Sequence, residues 1–184
     1  RSSDLALASD GVTEVVIVDD GSSDDTPEVA AAGGDPRVRV LRQPNSGPGA
    51  ARNTGAAAAT ATHLVFLDAD DVWLPDKLAT QLRQLEALPD RYGGVFCRSV
   101  VTDEQGVEQF TYAPPAGTYD LHSFLMWCNP AANGSSFLVR RELYEQAGGF
   151  PRTRIEQLHE DRALVNAVRD AGGIAYKFSS PAQI

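Results

Sequence analysis

Acidic residues are concentrated in two short stretches, and each stretch directly follows an apolar run. They are Asp19, Asp20, Asp24 and Asp25 in the first stretch and Asp68, Asp70 and Asp71 in the second. Because like carboxylates repel one another and resist joint ionisation, such clusters need a hydrogen-bond donor or a cation to stabilise them. Mg²⁺ and Mn²⁺ prefer carboxylate oxygens and commonly link a few of them to substrate phosphates. The two stretches therefore predict a divalent cation site that takes a diphosphate.

A purely structural interpretation is also open for these acids. Taken alone, the stretch over 19–25 is better explained by Asx turns and by helix capping. The stretch over 68–71 is harder to explain as solvated surface, because it comes directly after a predicted buried strand. In an open α/β sheet the carboxyl ends of parallel strands share one edge, where ligands bind. Taken together, the two stretches favour a ligand site at that edge.

The elements that must position these acids alternate along the chain. Short β-branched runs and Ala- or Leu-rich stretches follow one another, which is typical of an α/β protein with a largely parallel sheet. Strands are predicted over 14–18, 38–41, 63–67 and 174–178, with the first buried on both faces, and two extended runs flanking a turn at 103–106 over 95–112. Helices are predicted over 26–32, 50–61, 75–88, 120–127, 141–147 and 160–171. In the third of them, the leucines at 78, 82, 85 and 88 follow the helical i, i+3, i+4 spacing of one apolar face. Both acidic stretches thus lie at strand ends.

Composition sets limits on the class of protein. The 184 residues carry 16 Lys and Arg against 25 Asp and Glu, a net charge of −9, which disfavours a broad basic surface for nucleic acid. No apolar run approaches the roughly 20 residues of a membrane-spanning helix, and the start of the chain lacks the pattern of a signal peptide. Cys97 and Cys128 form neither a disulfide framework nor a zinc-binding pattern. We therefore expect a cytoplasmic protein, with the inner face of the membrane included.

Three motifs in order carry a family resemblance: VDDGS over 18–22, NSG over 45–47 leading to AARN over 50–53, and LDADD over 67–71. They resemble the successive signatures of family 2 glycosyltransferases of the GT-A fold. The resemblance continues through RREL, GGF and HED, which end at residues 143, 150 and 161. It implies one GT-A domain over 1–184, with a mixed, mostly parallel sheet flanked by helices. The family's first strand would precede Arg1, so we expect a domain incomplete at its N-terminus and at its C-terminus.

The resemblance also implies an activity. A family 2 enzyme of this kind is a metal-dependent inverting glycosyltransferase that uses Mg²⁺ or Mn²⁺. Its donor would be a nucleoside-diphosphate sugar, UDP-linked, and its acceptor a hydroxyl of a carbohydrate, a lipid-linked molecule or another compound. The acceptor hydroxyl would attack the anomeric carbon from the face opposite the departing diphosphate, through an oxocarbenium-like transition state.

Site residues are carried over from the resemblance at the matching positions. Asp19 and Asp20 would flank the nucleotide base, with one of them accepting a hydrogen bond from the ring edge, and Arg52 would lie at the same site. Asp68 would hold the ribose or a metal-linked water. Asp70 would coordinate the cation, as an acid of the family's Asp-X-Asp motif does. For Arg52 a surface charge on an alanine-rich helix is the structural alternative.

Asp161 is the predicted general base. In the first turn of the helix predicted over 160–171 it shares a side with Leu164 and Val165, so we expect it to point into the protein. In the resemblance it matches the second acid of the family's acidic pair, which takes the proton of the acceptor hydroxyl. Glu160 is the nearby competitor for this role. The alternative is an acid that stabilises a helix N-terminus through the helix dipole.

Several further residues have two interpretations each. Asp71 would assist the other two acids of its motif. The stretch Gly134, Ser135 and Ser136 resembles the border of the family's acceptor site, and a turn leading into a strand explains it equally well. Trp73 and Trp127 could stack on a sugar face, but a lone tryptophan is more often part of a core.

Two other function classes stay in view. One is a non-catalytic module, derived from a transferase, that binds a sugar nucleotide or a glycan. The other is a phosphorylation-dependent receiver domain, which also uses acids after two strands but needs a well-placed lysine. Lys177 lies far beyond the length of such a domain, and the loop over 45–53 has no role there, so the receiver domain is the weaker alternative.

Overall fold

The structure is a computed structural model that describes residues 2–23, 33–90, 92–112 and 134–150. In these ranges the helices are α1 (Ser2–Ala8), α2 (Pro48–Ala58), α3 (Lys77–Glu86) and α4 (Arg141–Gln146). The strands are β1 (Val15–Asp19), β2 (Val38–Arg42), β3 (His63–Val65), β4 (Gly94–Phe96), β5 (Ser99–Thr102), β6 (Glu108–Tyr112) and β7 (Phe137–Arg140). A single 3-10 turn, Gly134–Ser136, leads into β7.

Strand pairing in the described ranges is mixed. β1 pairs in parallel with β2, from Val15 opposite Val38 to Asp19 opposite Arg42. β7 lies between β3 and β4 and runs antiparallel to both. β5 and β6 form an antiparallel hairpin with an irregularity between Val101 and Thr102. The predicted α/β class with a mixed sheet is confirmed, and one of these four pairings is parallel.

Most predicted elements are present with shifted ends. α2 begins at Pro48, two residues before the predicted start, because proline is well suited to a first helical position, where no N–H donor is needed. The strand predicted over 63–67 is shorter and ends at Val65, whereas the hairpin around 103–106 is confirmed. The predicted elements over 26–32, 120–127, 160–171 and 174–178 lie outside the described residues.

The predicted burial of the first strand on both faces is wrong. Val15, Val16, Ile17 and Val18 are half-buried, and Asp19 is the buried residue of β1. The reason is that β1 has one hydrogen-bonded neighbour in the described ranges, β2, and packs α2 against one side. The strand therefore brings a carboxylate, rather than an aliphatic side chain, to its most enclosed position.

The apolar core lies where α3 packs on the β3, β7 and β4 sheet. Leu78 and Leu85 from α3 contact Val95 of β4 and Leu138 of β7, and all four are at most 4% exposed. Burial of each such side chain stabilises the fold by about 1.5 to 3 kcal/mol. The predicted leucine spacing of this helix is thus confirmed. Among the helices in the described ranges, none has both the length and the apolarity that crossing a bilayer requires.

Candidate functional site

Asp19 ends β1 with its carboxylate enclosed by its own chain. Oδ1 accepts a hydrogen bond from the backbone N–H of Ser22 at 2.9 Å, which is an Asx-type turn. Oδ2 lies 3.1 Å from Nε of Arg42, the residue opposite Asp19 in β2. The Asp19 side chain is 1% exposed, so its charge is held by a backbone donor and by an opposite charge rather than by water.

Asp20 holds the loop between β2 and α2. Its carboxylate accepts hydrogen bonds from Gln43 Nε2 at 2.7 Å and from the backbone N–H groups of Ser46 and Gly47 at 3.0 and 2.8 Å. Gly47 directly precedes α2, so Asp20 also places a negative charge at the N-terminus of that helix, where the dipole favours it. Gln43 in turn accepts a bond from Thr54 Oγ1 on α2 at 2.6 Å.

The loop approaches β1 so closely that only glycine fits beside it. Gly21 has a φ of +86°, and a Cβ there would lie 2.9 Å from the backbone N of Asn45. The contacts of Asp19 and Asp20 are the Asx turn and helix capping of the structural interpretation. Their proposed role at a nucleotide base stays a prediction, and Asp24 and Asp25 lie outside the described residues.

Arg52 and Asp68 form an ion pair, which the family resemblance did not predict. Arg52 projects from α2 one turn after its start, and its Nη2 donates to both oxygens of Asp68, at 2.8 and 2.9 Å. The Arg52 side chain is 11% exposed, which excludes the surface-charge alternative. The Phe150 ring centroid lies 5.1 Å from its guanidinium carbon, and a Cβ on Gly134 would lie 3.2 Å from the same carbon. The guanidinium is therefore fixed on two sides while it orients Asp68.

The second acidic loop is also fixed through its backbone. The N–H of Asp68 donates to Ser135 Oγ at 2.9 Å, and the N–H of Asp71 donates to the carbonyl of Asp68 at 3.2 Å. Asp70 is exposed and Asp71 is half-buried. The loop thus presents the Asp70 carboxylate to solvent from a backbone that the 134–136 turn holds in place.

The donor set fits a cation that takes most of its ligands from elsewhere. Within the described residues, no group of three or more His, Cys, Asp or Glu side chains is placed to hold a metal ion. Asp68 is 38% exposed beside its arginine, and Asp70 is open to solvent, so the loop offers one or two hard oxygen donors. Mg²⁺ is commonly bound in this way, through one or two carboxylates together with substrate phosphates and water.

Trp73 belongs to the core that supports this loop. It is 6% exposed, and its Nε1 donates to the carbonyl of Ser135 at 3.0 Å. The structure therefore agrees with the core interpretation of Trp73 rather than with stacking on a sugar. Trp127, Glu160, Asp161 and Lys177 lie outside the described residues, so their predicted roles stay predictions.

Asn53 was not predicted as a key residue. Its Nδ2 donates to the carbonyl of Phe150 at 2.9 Å, and its Oδ1 accepts from the Phe150 N–H at 2.8 Å and from the Tyr144 hydroxyl at 2.6 Å. Asn53 thereby holds the aromatic residue that covers its neighbour Arg52. An asparagine in the middle of an alanine-rich helix has low helix propensity, and that mismatch is the available sequence signal.

Comparison with known proteins gives the family of the chain. The family model for glycosyl transferase family 2 matches residues 4–148. The chain belongs to family 2 of the glycosyltransferases. This family 2 domain is 47% identical over 89 residues to the succinoglycan biosynthesis protein ExoO of Rhizobium meliloti, and 33% identical over 147 residues to an uncharacterized glycosyltransferase of Nostoc. The match to ExoO covers 47% of this chain and 26% of ExoO, and the match to the Nostoc protein covers 75% of this chain and 44% of that protein. The chain therefore spans less than half the length of each relative.

Solved structures agree on the fold of the family 2 domain. S. aureus TarS in complex with UDP-GlcNAc matches with a TM-score of 0.70 at 20% identity, over 98% of this chain and 55% of that one. The mannosyltransferase PcManGT from Pyrobaculum calidifontis, in complex with GDP-Man and Mn²⁺, matches with a TM-score of 0.65 at 22% identity. This match covers 99% of this chain and 53% of PcManGT. These matches confirm the predicted GT-A fold.

Proposed function

We propose that this domain is the donor-binding part of a metal-dependent inverting glycosyltransferase that uses a nucleoside-diphosphate sugar, UDP-linked, and an acceptor hydroxyl. The observation that carries the proposal is that α2 links the two acidic loops. Asp20 binds the N–H of Gly47 at the start of α2, and one turn later Arg52 binds Asp68. TarS in complex with UDP-GlcNAc and PcManGT in complex with GDP-Man and Mn²⁺ support a sugar-nucleotide donor.

The proposed roles of the acids are carried over from the family resemblance. We assign the nucleotide base to the end of β1, where Asp19 and Asp20 shape the loop, and the ribose side to Asp68, which Arg52 holds by both oxygens. Asp70, exposed on the same loop, is the proposed metal ligand. A divalent cation, when bound there, supplies positive charge that offsets the charge on the departing diphosphate.

The acceptor side of the reaction rests on the family resemblance. Asp161 is the proposed general base, which accepts the proton of the acceptor hydroxyl as it attacks the anomeric carbon. The acceptor is a carbohydrate, a lipid-linked molecule or another hydroxyl compound. The free thiol of Cys97 fits a reducing compartment, and we place the reaction in the cytoplasm, with the inner face of the membrane included.

Calorimetry on the full-length protein tests the proposal. UDP is titrated with and without Mn²⁺, and GDP serves as the comparison nucleotide. We expect Mn²⁺ to bind weakly alone and at least tenfold more tightly with UDP, because phosphate oxygens complete its coordination. Equal Mn²⁺ binding with and without nucleotide would contradict the metal assignment. Nucleotide binding without any sugar transfer or donor hydrolysis would favour a non-catalytic binding module instead.

A further inference from the structure

A chain of side chains runs behind the second acidic loop. Lys77, the first residue of α3, lies with Nζ 4.4 Å from the ring centroid of Trp73 and donates to Gln81 Oε1 at 2.9 Å. Gln81 is 0% exposed, although it lies on the apolar side of α3. Burying an amide costs free energy unless its polar groups are hydrogen-bonded, so the groups that bond to Gln81 contribute to the stability of the fold.

Both ends of this chain of contacts reach the same turn. Gln81 Nε2 donates to the carbonyls of Val95 and Ser136, at 3.0 and 2.9 Å. Trp73 Nε1 donates to the carbonyl of Ser135, whose hydroxyl accepts from the N–H of Asp68. The turn over 134–136 is thus held by Gln81 from one side and by Trp73 from the other, and it holds the acidic loop in turn.

We propose that Trp73, Lys77 and Gln81 are positioning residues, and we call them the turn clamp. They fix the 134–136 turn against the acidic loop, and the turn in turn sets the positions of Asp68 and Asp70. None of the three is assigned to substrate, and each acts through Ser135 or Ser136. The effect on catalysis rests on the proposed function, whereas the clamp itself does not.

The charge on Lys77 gives the clamp a measurable signature. Burial lowers the pKa of Lys77 to about 8. The titratable group that faces the amine is the Cys97 thiol, just beyond β4, and burial raises the pKa of Cys97, so the thiol is neutral where the amine titrates. Among the described residues, Gln81 and Trp73 also contact the amine, and both are uncharged. An ammonium close to an indole ring alters its environment, so loss of the charge should change the emission of Trp73.

The first experiment follows tryptophan fluorescence between pH 6 and 10 in the full-length protein. The chain has two tryptophans and two lysines, and Trp127→Phe leaves Trp73 as its single reporter. Any tryptophan outside residues 1–184 is replaced as well. We expect an inflection near pH 8 that disappears in Lys77→Met and persists in the matched control Lys177→Met. Cys97→Ser should also retain it, which separates the amine from the thiol. An inflection that survives Lys77→Met would overturn the proposal.

The second experiment is a double-mutant cycle with Lys77→Met and Gln81→Met. Because both residues act on one turn, we expect each single variant to lower kcat by about tenfold, and the pair to cost little more than either alone. In the presence of Mn²⁺ the Kd for UDP should rise by about tenfold in each, because the clamp positions Asp70, whereas the Kd for UDP without Mn²⁺ should stay within about twofold, a split that general loss of folding would not produce. Trp73→Phe, which replaces the indole with a smaller aromatic ring and removes the N–H, should lower kcat by at least a similar factor. Additive losses in the cycle contradict the clamp.

The two proposals fail in different ways. If the pH inflection behaves as expected but UDP binds neither with nor without Mn²⁺, the clamp stands and the proposed function fails. If UDP and Mn²⁺ bind as proposed but the inflection is unaffected by Lys77→Met, the function stands and the clamp fails.

Discussion

The carboxylates of the two acidic loops differ in how many hydrogen bonds and ion pairs they receive from the protein. At the end of β1, Asp19 and Asp20 take hydrogen bonds or ion pairs from five residues of their own chain within two neighbouring segments. At the end of β3, Arg52 binds Asp68, and Asp70 is left exposed. A carboxylate that satisfies its own backbone shapes a binding surface, whereas an exposed one beside a fixed neighbour has oxygens to offer a cation. We therefore propose that the first loop shapes the site and that the second offers a ligand to a cation.

The largest effect on activity is expected at Asp161, which lies in neither acidic loop. It tests whether the two loops act on the donor alone. Asp161→Asn should reduce sugar transfer by about two to four orders of magnitude, because a general base contributes mainly in the transition state. Binding of UDP should stay near normal in calorimetry. The matched control is Glu160→Gln. Loss of activity in Glu160→Gln together with normal turnover in Asp161→Asn would move the base to Glu160.

The next prediction separates the loops by their metal dependence. Asp70→Ala should weaken Mn²⁺-dependent UDP binding by about tenfold to a hundredfold, because it removes an oxygen ligand of the cation. Binding of UDP in the absence of Mn²⁺ should change little. The same titrations on Asp76→Ala, at an exposed acid outside both loops, serve as the control. Intact Mn²⁺-dependent binding in Asp70→Ala would contradict the ligation role of the second loop.

A substitution in the first loop should lower the free energy of unfolding. Asp20→Asn replaces a carboxylate that accepts three N–H donors with an amide whose NH₂ faces some of them, so we expect a loss of about 1 to 3 kcal/mol in the free energy of unfolding. Urea denaturation measures it. Asp90→Asn, at a fully exposed acid, should change stability by less than about 0.5 kcal/mol. Equal losses in the two variants would remove the distinction between the loops.

The smallest effect lies at the opposite end of β1. Glu14 is partly buried, which by itself raises its pKa, but hydrogen bonds from Thr60 and Ala61 and the charge of Arg39 lower the pKa overall. The unfolded chain therefore binds more protons just below pH 4.5, so this contribution is present above that pH and is lost as the pH falls through the folded value. Unfolding measurements between pH 3 and 6 should show a shallower pH dependence in Glu14→Gln, and an unchanged slope would contradict the assignment.

The sequence was sufficient for features encoded locally. Strand ends, the leucine spacing of α3 and the hairpin turn depend on neighbouring residues, and they were predicted to within a few positions. The place of β7 between β3 and β4 depends on pairings between strands far apart in sequence, which periodicity does not report. The same limit applies to the site. The acids were found from their clustering, whereas the bonds of Asn53 span 97 residues to Phe150.

The contact between Asn53 and the residues that follow α4 limits how this domain can be recombined with its relatives. Gly149 has a φ of +75°, and a Cβ there would clash with Asn53 Oδ1, so the two positions can be exchanged only as a pair. A chimera that takes residues 134–184 from one parent and 1–133 from another must preserve an amide at 53 and a glycine at 149. A unit for recombination that includes residues 134–150 is therefore discontinuous, because it must also include α2.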